Sequence, residues 1–234
     1  MNANCATRRP KSGGRKARRN KISKKQTKTN VSLYTIMPPR IKRMLRYCDS
    51  TYVRNNPGGN FLVYSFRIND LYDPDPIILS GSVSGFKELM QFYSYYRVLS
   101  VNIGVHITNN ETFSIMYGGV FSQTNLTGVI SSRDDAINAL ESTLSSRVRV
   151  LSAKGGMDRG FLNMKISPAT ILGDRRQYFA ESNYSGAGLA TPTVPLWFNM
   201  IVASPTGTAL ANGYTNSTTI TFNAEFFGLI NVRA

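Results

Sequence analysis

From about residue 46 onward, short apolar runs alternate with turn-forming residues, which is the pattern of half-buried β-strands. Residues 61–69 show it well, because Leu62, Tyr64, Phe66 and Ile68 all fall on one side of an extended chain. Similar segments are rich in Val, Ile, Phe, Tyr and Thr, the residues that favour strands. The predicted strands are 46–54, 61–69, 96–108, 114–123, 145–152, 160–167, 196–204 and 218–229.

Period-two spacing also predicts which side chains form the core. In the strand at 96–108, one set of alternate residues is apolar, while the opposite set contains Val98, Ser100 and Asn102. The predicted core positions in three strands are Leu99, Val101, Ile103, Phe198, Met200, Val202, Ile220, Phe222 and Phe226. A one-residue error in register would exchange the two faces of a strand.

Two short helices are predicted between the strands, at 86–93 and 134–144, where apolar residues recur at helical spacing. Eight strands, long connections and few helices predict an all-β fold, an eight-stranded antiparallel jelly roll of two four-stranded sheets. An immunoglobulin-like sandwich is the competing architecture. It fits less well, because the strands are irregularly spaced and their connections are long.

The charge is concentrated at the N-terminal end. The chain has a formal net charge of +15, and residues 1–48 contain fifteen of its 28 Lys and Arg residues and no acid. The remaining thirteen basic residues equal the thirteen acids, so the rest of the chain is formally neutral. A positive segment next to a neutral body predicts a polyanionic partner for that segment.

We therefore divide the chain into a basic arm, residues 1–45, and a β domain, residues 46–234. The first thirty residues have almost no apolar side chains, so we expect the arm to be largely disordered when free. Its Lys and Arg side chains can neutralise phosphates without reading bases. The predicted nucleic-acid-binding residues are Arg8, Arg9, Lys11, Arg15, Lys16, Arg18, Arg19, Lys21, Lys24, Lys25, Lys28, Arg40, Lys42, Arg43 and Arg46. A nuclear-localisation signal would have the same composition.

The segment 40–47 has two interpretations. Ile41, Met44 and Leu45 recur at helical spacing after Pro38 and Pro39, which favours a short basic amphipathic helix. A plain linker leading into the first strand fits the same residues equally well.

Little in the sequence indicates catalysis. His106 is the single histidine and lies in the middle of a predicted strand, so we expect no catalytic residues and no enzymatic activity. Asp70, Asp73 and Asp75 lie close together on a proline-containing loop, and carboxylates on such a loop can bind calcium. A turn with solvated carboxylates is the stronger interpretation, and no other cofactor is expected.

The order of these features resembles the jelly-roll coat proteins of small icosahedral viruses. It is similar to those of small circular single-stranded DNA viruses and of satellite tobacco necrosis virus, and more distantly to tombus- and sobemo-like shell domains. The resemblance is carried by the Arg/Lys arm, FRIND at 66–70, FYSYYRV at 92–98, VNI at 101–103, PATILG at 168–173 and the closing strand at 219–228.

The resemblance implies two four-stranded sheets, an arm inside a shell, and calcium bound by acidic loops between subunits in the tombus- and sobemo-like relatives. It implies a capsid protein that assembles with copies of itself, about sixty in the smallest shell, and packages viral single-stranded nucleic acid. The expected location is the virion, with the host nucleus during assembly if the genome is DNA. A host receptor and nuclear import factors are further candidate partners, and no membrane is expected.

Two other functions remain open on the sequence alone. One is a cellular, ribosomal-type nucleic-acid-binding protein with a β-sandwich body, although such proteins usually spread basic residues through the folded part. The other is a β-sandwich enzyme or lectin with an appended tail, which the missing catalytic residues disfavour.

Overall fold

Two antiparallel sheets pack face to face in the computed structural model, which describes residues 37–49, 52–78 and 81–230. The strands are β1 Arg40–Cys48, β2 Tyr52–Asn56, β3 Phe61–Arg67, β4 Tyr93–Asn109, β5 Ile115–Ser122, β6 Ser146–Leu151, β7 Arg159–Ile166, β8 Gly186–Ala187, β9 Trp197–Ala203 and β10 Leu210–Leu229. The helices are α1 Phe86–Leu89, α2 Arg133–Ser142, α3 Pro168–Leu172 and α4 Arg175–Ala180, with 3-10 turns at Leu126–Gly128 and Ser182–Tyr184.

The strand order identifies the fold. One sheet runs β1-β10-β4-β7, with β2 also paired to β10 and β8 to β4, and the other runs β3-β9-β5-β6. Each sheet therefore takes its strands alternately from the two ends of the chain, which is the double Greek key of a jelly roll. The predicted jelly roll is confirmed, and the immunoglobulin-like alternative is wrong. The expected two four-stranded sheets are extended, because the short strands β2 and β8 bring one sheet to six strands.

The first strand begins earlier than the sequence analysis expected. Residues 40–48 form β1 and pair with β10, from Arg40 opposite Phe227 to Cys48 opposite Thr219. The segment 40–47 is therefore neither of the two expected structures, a short basic amphipathic helix or a plain linker. Its apparent helical spacing depended on Met44, which is 73% exposed on the outer side of the sheet. Strand spacing instead turns Ile41, Leu45 and Tyr47 towards the core.

Most predicted core positions are confirmed, with one exception at a bulge. Ser100 pairs with Asn223 and Val98 with Ala224, so Leu99 has no partner on β10. The extra residue shifts the alternation in β4. Val98 is consequently fully buried and Leu99 is only half-buried, the reverse of the prediction.

Both faces of β9 are buried, because each is covered by a different layer. Phe198, Met200 and Val202 point into the space between the sheets, whereas Ile201 and Ala203 pack under α2. The helix approaches the sheet closely, since a side chain on Gly118 would meet Leu140 of α2.

The predicted helices are only partly correct, and two more were missed. The helix at 134–144 corresponds to α2, which Ser132 caps through a hydrogen bond to the Asp135 backbone N–H. The helix at 86–93 is reduced to α1, because β4 already begins at Tyr93. Helices α3 and α4 form the connection after β7, and Tyr178 of α4 is buried against β4, with its hydroxyl donating to the Val98 carbonyl at 2.6 Å.

Candidate nucleic-acid interface

The basic residues of β1 lie on the outer side of the six-stranded sheet. Arg40, Lys42 and Arg46 are exposed and alternate with the residues that point into the core. Arg43 has the opposite phase but stays exposed at the edge of the sheet, where its guanidinium donates to the Lys42 carbonyl at 3.2 Å. Of the predicted nucleic-acid-binding residues, these four lie in the described part of the chain. The other eleven, from Arg8 to Lys28, lie outside the described residues.

Basic side chains from β4 and β7 join those of β1 on the same outer side. Residues that are partners in neighbouring strands form rows across the sheet. In one row, Arg46 lies opposite Thr221, Thr221 opposite Asn102, and Asn102 opposite Lys165. We call this surface the basic face. Its charged strand residues are Arg40, Lys42, Arg46, Arg97, Arg159, Lys165 and Glu225. Among the described strand residues, Glu225 is its only acid, so the face presents a net positive field to solvent.

The acid on this face neutralises little of its charge. Glu225 lies 3.9 Å from Arg40, whose side chain is 69% exposed. An ion pair this long and this exposed contributes little to stability and is screened by salt. The Arg40 guanidinium also lies 5.7 Å from the Phe227 ring centre, within range of a cation–π contact.

Arg97 is a basic residue of this face that stabilises the fold. Arg97 donates to the Ser185 hydroxyl at 2.8 Å and to the carbonyls of Phe179 and Glu181 at 2.7 and 3.2 Å. It thereby attaches the α4 segment to β4. Burial lowers the pKa of the Arg97 guanidinium from its usual value, although an arginine stays charged at any physiological pH. We therefore assign Arg97 to holding the fold together.

The sheet and the α3–α4 connection enclose a cleft at one end of the basic face. It has a volume of about 690 Å³, and Lys42, Arg175, Glu225, Thr170 and Phe179 are among its lining residues. Its walls carry charges of both signs, so it is less suited to a polyanion than the open strand surface beside it.

A second depression lies in the middle of the basic face and has a volume of about 240 Å³. His106 of β4 and Phe161 of β7 are direct cross-strand partners, and their ring centres lie 4.5 Å apart. We call these two residues the aromatic pair. The Phe161 ring lies over Gly104, where a side chain would come within 3.3 Å of it. His106 lies exposed on the outer side of its strand.

The sequence analysis missed the basic residues of β7. The segment 160–167 was predicted as a strand from its alternation, and the same alternation places Arg159, Phe161, Asn163 and Lys165 on one side. What the sequence could not indicate was that this side of β7 continues the outer side of β1. That relation depends on the strand order β1-β10-β4-β7.

The three candidate calcium ligands do not converge. The expected turn with solvated carboxylates is also wrong for Asp70 and Asp75, which are buried and hydrogen-bonded. Asp70 accepts hydrogen bonds from the Tyr96 hydroxyl at 3.0 Å and the Tyr72 backbone N–H at 2.8 Å. Asp70 and Asp73 also share the Arg67 guanidinium, at 3.5 and 3.3 Å.

The Asp75 carboxylate has hydrogen-bond donors of its own. It accepts from the Tyr64 hydroxyl at 2.6 Å and from the Ile77 backbone N–H at 3.1 Å. Within the described residues, no group of three His, Cys, Asp or Glu side chains is arranged to hold a metal ion. A calcium ion shared between subunits stays a prediction, and it would need ligands from a second copy.

No helix among the described residues is long and apolar enough to cross a bilayer.

No protein-family model matches the chain, and no curated protein matches it. Similar solved structures include one of Desmodium yellow mottle tymovirus, with a TM-score of 0.42 and 10% identity, covering 89% of this chain and 98% of that one. A cryo-EM structure of a semi-empty virus-like particle of the giant freshwater prawn nodavirus has a TM-score of 0.49 and 12% identity, covering 97% of each chain. A cryo-EM structure of mud crab tombus-like virus has a TM-score of 0.48 and 9% identity, covering 97% and 95%. The assignment of the fold rests on the strand order of this chain.

Proposed function

We propose that this chain is the capsid protein of a small icosahedral virus, and that it packages single-stranded nucleic acid through its N-terminal basic arm. The supporting observation is the position of the positive charge in the jelly roll. Residues 1–36 precede β1 in the chain, the outward side chains of β1 are themselves basic, and β7 adds further basic residues to the same face. Both the arm and the basic face are therefore rich in side chains that can bind phosphate.

Assembly with copies of itself is supported by the rest of the surface. The residues after 48 are formally neutral, and several large apolar side chains are exposed in that part of the chain, among them Leu144, Val150 and Met157. Exposed apolar groups and a low charge density favour burial against partner subunits. We place the assembled protein in the virion, and in the nucleus during assembly if the genome is DNA.

Electron microscopy of the purified full-length protein tests the capsid role. We expect closed spherical particles over some range of salt and pH. Monomers and dimers across the whole range would contradict the proposal and favour a cellular nucleic-acid-binding protein.

Deleting residues 2–30 tests the packaging role of the arm. The deletion removes eleven of the fifteen Lys and Arg residues in positions 1–48 and leaves β1 to β10 intact. In a shell of sixty copies these fifteen residues of each subunit would carry roughly 900 positive charges, enough for about a thousand nucleotides. We expect truncated particles to have a much lower absorbance ratio at 260 to 280 nm than complete ones. An unchanged ratio would remove the arm from packaging and leave nuclear targeting as its role.

A further inference from the structure

The arrangement of side chains around the aromatic pair goes beyond the neutralisation of phosphate charge. His106 and Phe161 form an exposed ring surface in the middle of the basic face, and Phe161 is 45% exposed. The surrounding charge shows which kind of partner fits.

Small residues form the floor of the depression. Gly104 and Thr219 lie opposite each other on β4 and β10, and Gly104 also lies opposite Asn163 on β7. Because Gly104 has no side chain, the Phe161 ring can lie over the backbone there, 3.3 Å from where a Cβ would stand. The volume of about 240 Å³ is below the roughly 300–1,000 Å³ of pockets for drug-sized ligands, which suits one ring system better than a whole metabolite.

Polar groups suited to a nucleotide surround this floor. Asn102 and Asn163 supply amide donors and acceptors, and Arg46 supplies a positive charge. Among the described residues, no hydrogen bond or ion pair engages the side chains of these three. Their hydrogen-bonding capacity is therefore free for a ligand. Lys165 lies next to Asn102 in the same row and adds a second cation at the rim.

From this geometry we infer that the aromatic pair is a stacking platform for one unpaired base of the packaged strand. Phe161 stacks on the base, Asn102 and Asn163 bind its edge, and Arg46 and Lys165 bind the adjacent phosphates. Proteins that bind single strands combine such a positive groove with aromatic rings, and stacking tolerates any base because every base has a π-face. The inference rests on the proposed function, and it adds a base contact on the folded domain to the phosphate contacts of the arm.

Two probes separate base contacts from phosphate contacts. The full-length protein is titrated with a twenty-nucleotide oligothymidylate and with an abasic deoxyribose-phosphate strand of the same length, and dissociation constants are measured by fluorescence anisotropy. The variant Phe161→Leu removes the ring surface but keeps an apolar side chain. The matched control is Phe92→Leu, because Phe92 is 44% exposed and lies outside the depression.

We expect Phe161→Leu to weaken binding of the oligothymidylate by roughly fivefold or more, with binding of the abasic strand unchanged. Phe92→Leu should leave both constants unchanged, and melting temperatures should show that both variants fold. Photocrosslinking of a strand containing 5-bromodeoxyuridine should label the peptide that contains Phe161.

Two results would overturn the inference. One is an unchanged affinity ratio between the two probes in Phe161→Leu, and the other is crosslinking confined to the arm. A failure of the proposed function would give a different result. If the arm does not bind phosphate, the affinity for both probes is low, but the ratio of the two affinities is unaffected.

Discussion

At the scale of single residues, two buried tyrosines form a natural comparison. The Tyr178 hydroxyl donates to the Val98 carbonyl at 2.6 Å, whereas the buried Tyr214 hydroxyl has no hydrogen-bond partner among the described residues. We expect Tyr178→Phe to lower the free energy of unfolding by about 1 kcal/mol, the value of a typical buried hydrogen bond. Tyr214→Phe should be neutral or slightly stabilising, since it removes a buried polar group that gains nothing. Urea unfolding of dissociated subunits measures both, and equal losses in the two variants would contradict this comparison.

The same buried phenols predict sensitivity to alkali. Burial raises the pKa of Tyr96, Tyr178 and Tyr214 well above the ordinary value of 10.0, and Asp70 adds to the shift at Tyr96. Above pH 10 the unfolded chain therefore loses these protons while the folded chain retains them. Since the unfolded state then binds fewer protons, the free energy of unfolding falls as the pH rises.

Tyrosinate absorbance at 295 nm during an alkaline titration checks this expectation. The buried tyrosines should ionise only together with unfolding, and Tyr214→Phe should reduce the pH dependence of stability above pH 10. Smooth ionisation of every tyrosine near pH 10 in the folded protein would contradict it.

At the scale of secondary-structure elements, one buried amide joins three strands to a loop. Asn199 of β9 accepts from the Ser65 hydroxyl of β3 at 2.6 Å and from the Leu126 backbone N–H at 3.0 Å, and it donates to the Ser122 hydroxyl of β5 at 2.8 Å. Asn199→Leu would leave the Leu126 N–H without its acceptor. It would also remove one of two hydrogen bonds at each hydroxyl, since Ser65 keeps Thr127 and Ser122 keeps the Thr124 carbonyl. We expect a loss of at least about 2 kcal/mol in the free energy of unfolding, measured by urea denaturation.

Hydrogen exchange distinguishes this local role from a general loss of stability. The Leu126 amide should exchange faster in Asn199→Leu even where the sheets remain protected. The control is Asn138→Leu on the exposed side of α2, which should change neither quantity appreciably. Unchanged protection at Leu126 would show that Asn199 does not hold the loop.

At the scale of the whole molecule, the position of a positive charge should affect nucleic-acid binding more than the net charge does. Arg46 and Lys165 lie on the basic face, whereas Lys87 of α1 and Arg149 of β6 are exposed elsewhere. In the double variant Arg46→Gln with Lys165→Gln, we expect a shallower slope of the logarithm of the association constant for single-stranded nucleic acid against the logarithm of the salt concentration. The slope should change by about 1.4, because two phosphate contacts are lost.

The control pair, Lys87→Gln with Arg149→Gln, changes the net charge by the same amount. It should leave that slope unchanged if the basic face is the contact surface. Equal effects of the two pairs, measured in arm-truncated protein so that the arm does not dominate, would show that only total charge matters.

By itself, the sequence determined the class of fold and the location of the positive charge. Alternation with period two is a local property, so it predicted most strands and nearly all of the chosen core, including Phe198, Phe222 and Phe226. The division into a basic arm and a neutral body is likewise countable without a structure. These features depend only on residues near one another in the chain.

Tertiary structure decided what depends on pairing between distant segments. Residues 40–48 are a strand because β10 supplies hydrogen-bond partners along their whole length, and the phase of β4 changes at Leu99 because β10 has no residue opposite it. The basic face exists because β1, β10, β4 and β7 are neighbours, and the aromatic pair exists because His106 and Phe161 share one register. No local pattern determines which strands become neighbours, since that choice depends on how both sheets bury their apolar faces at once.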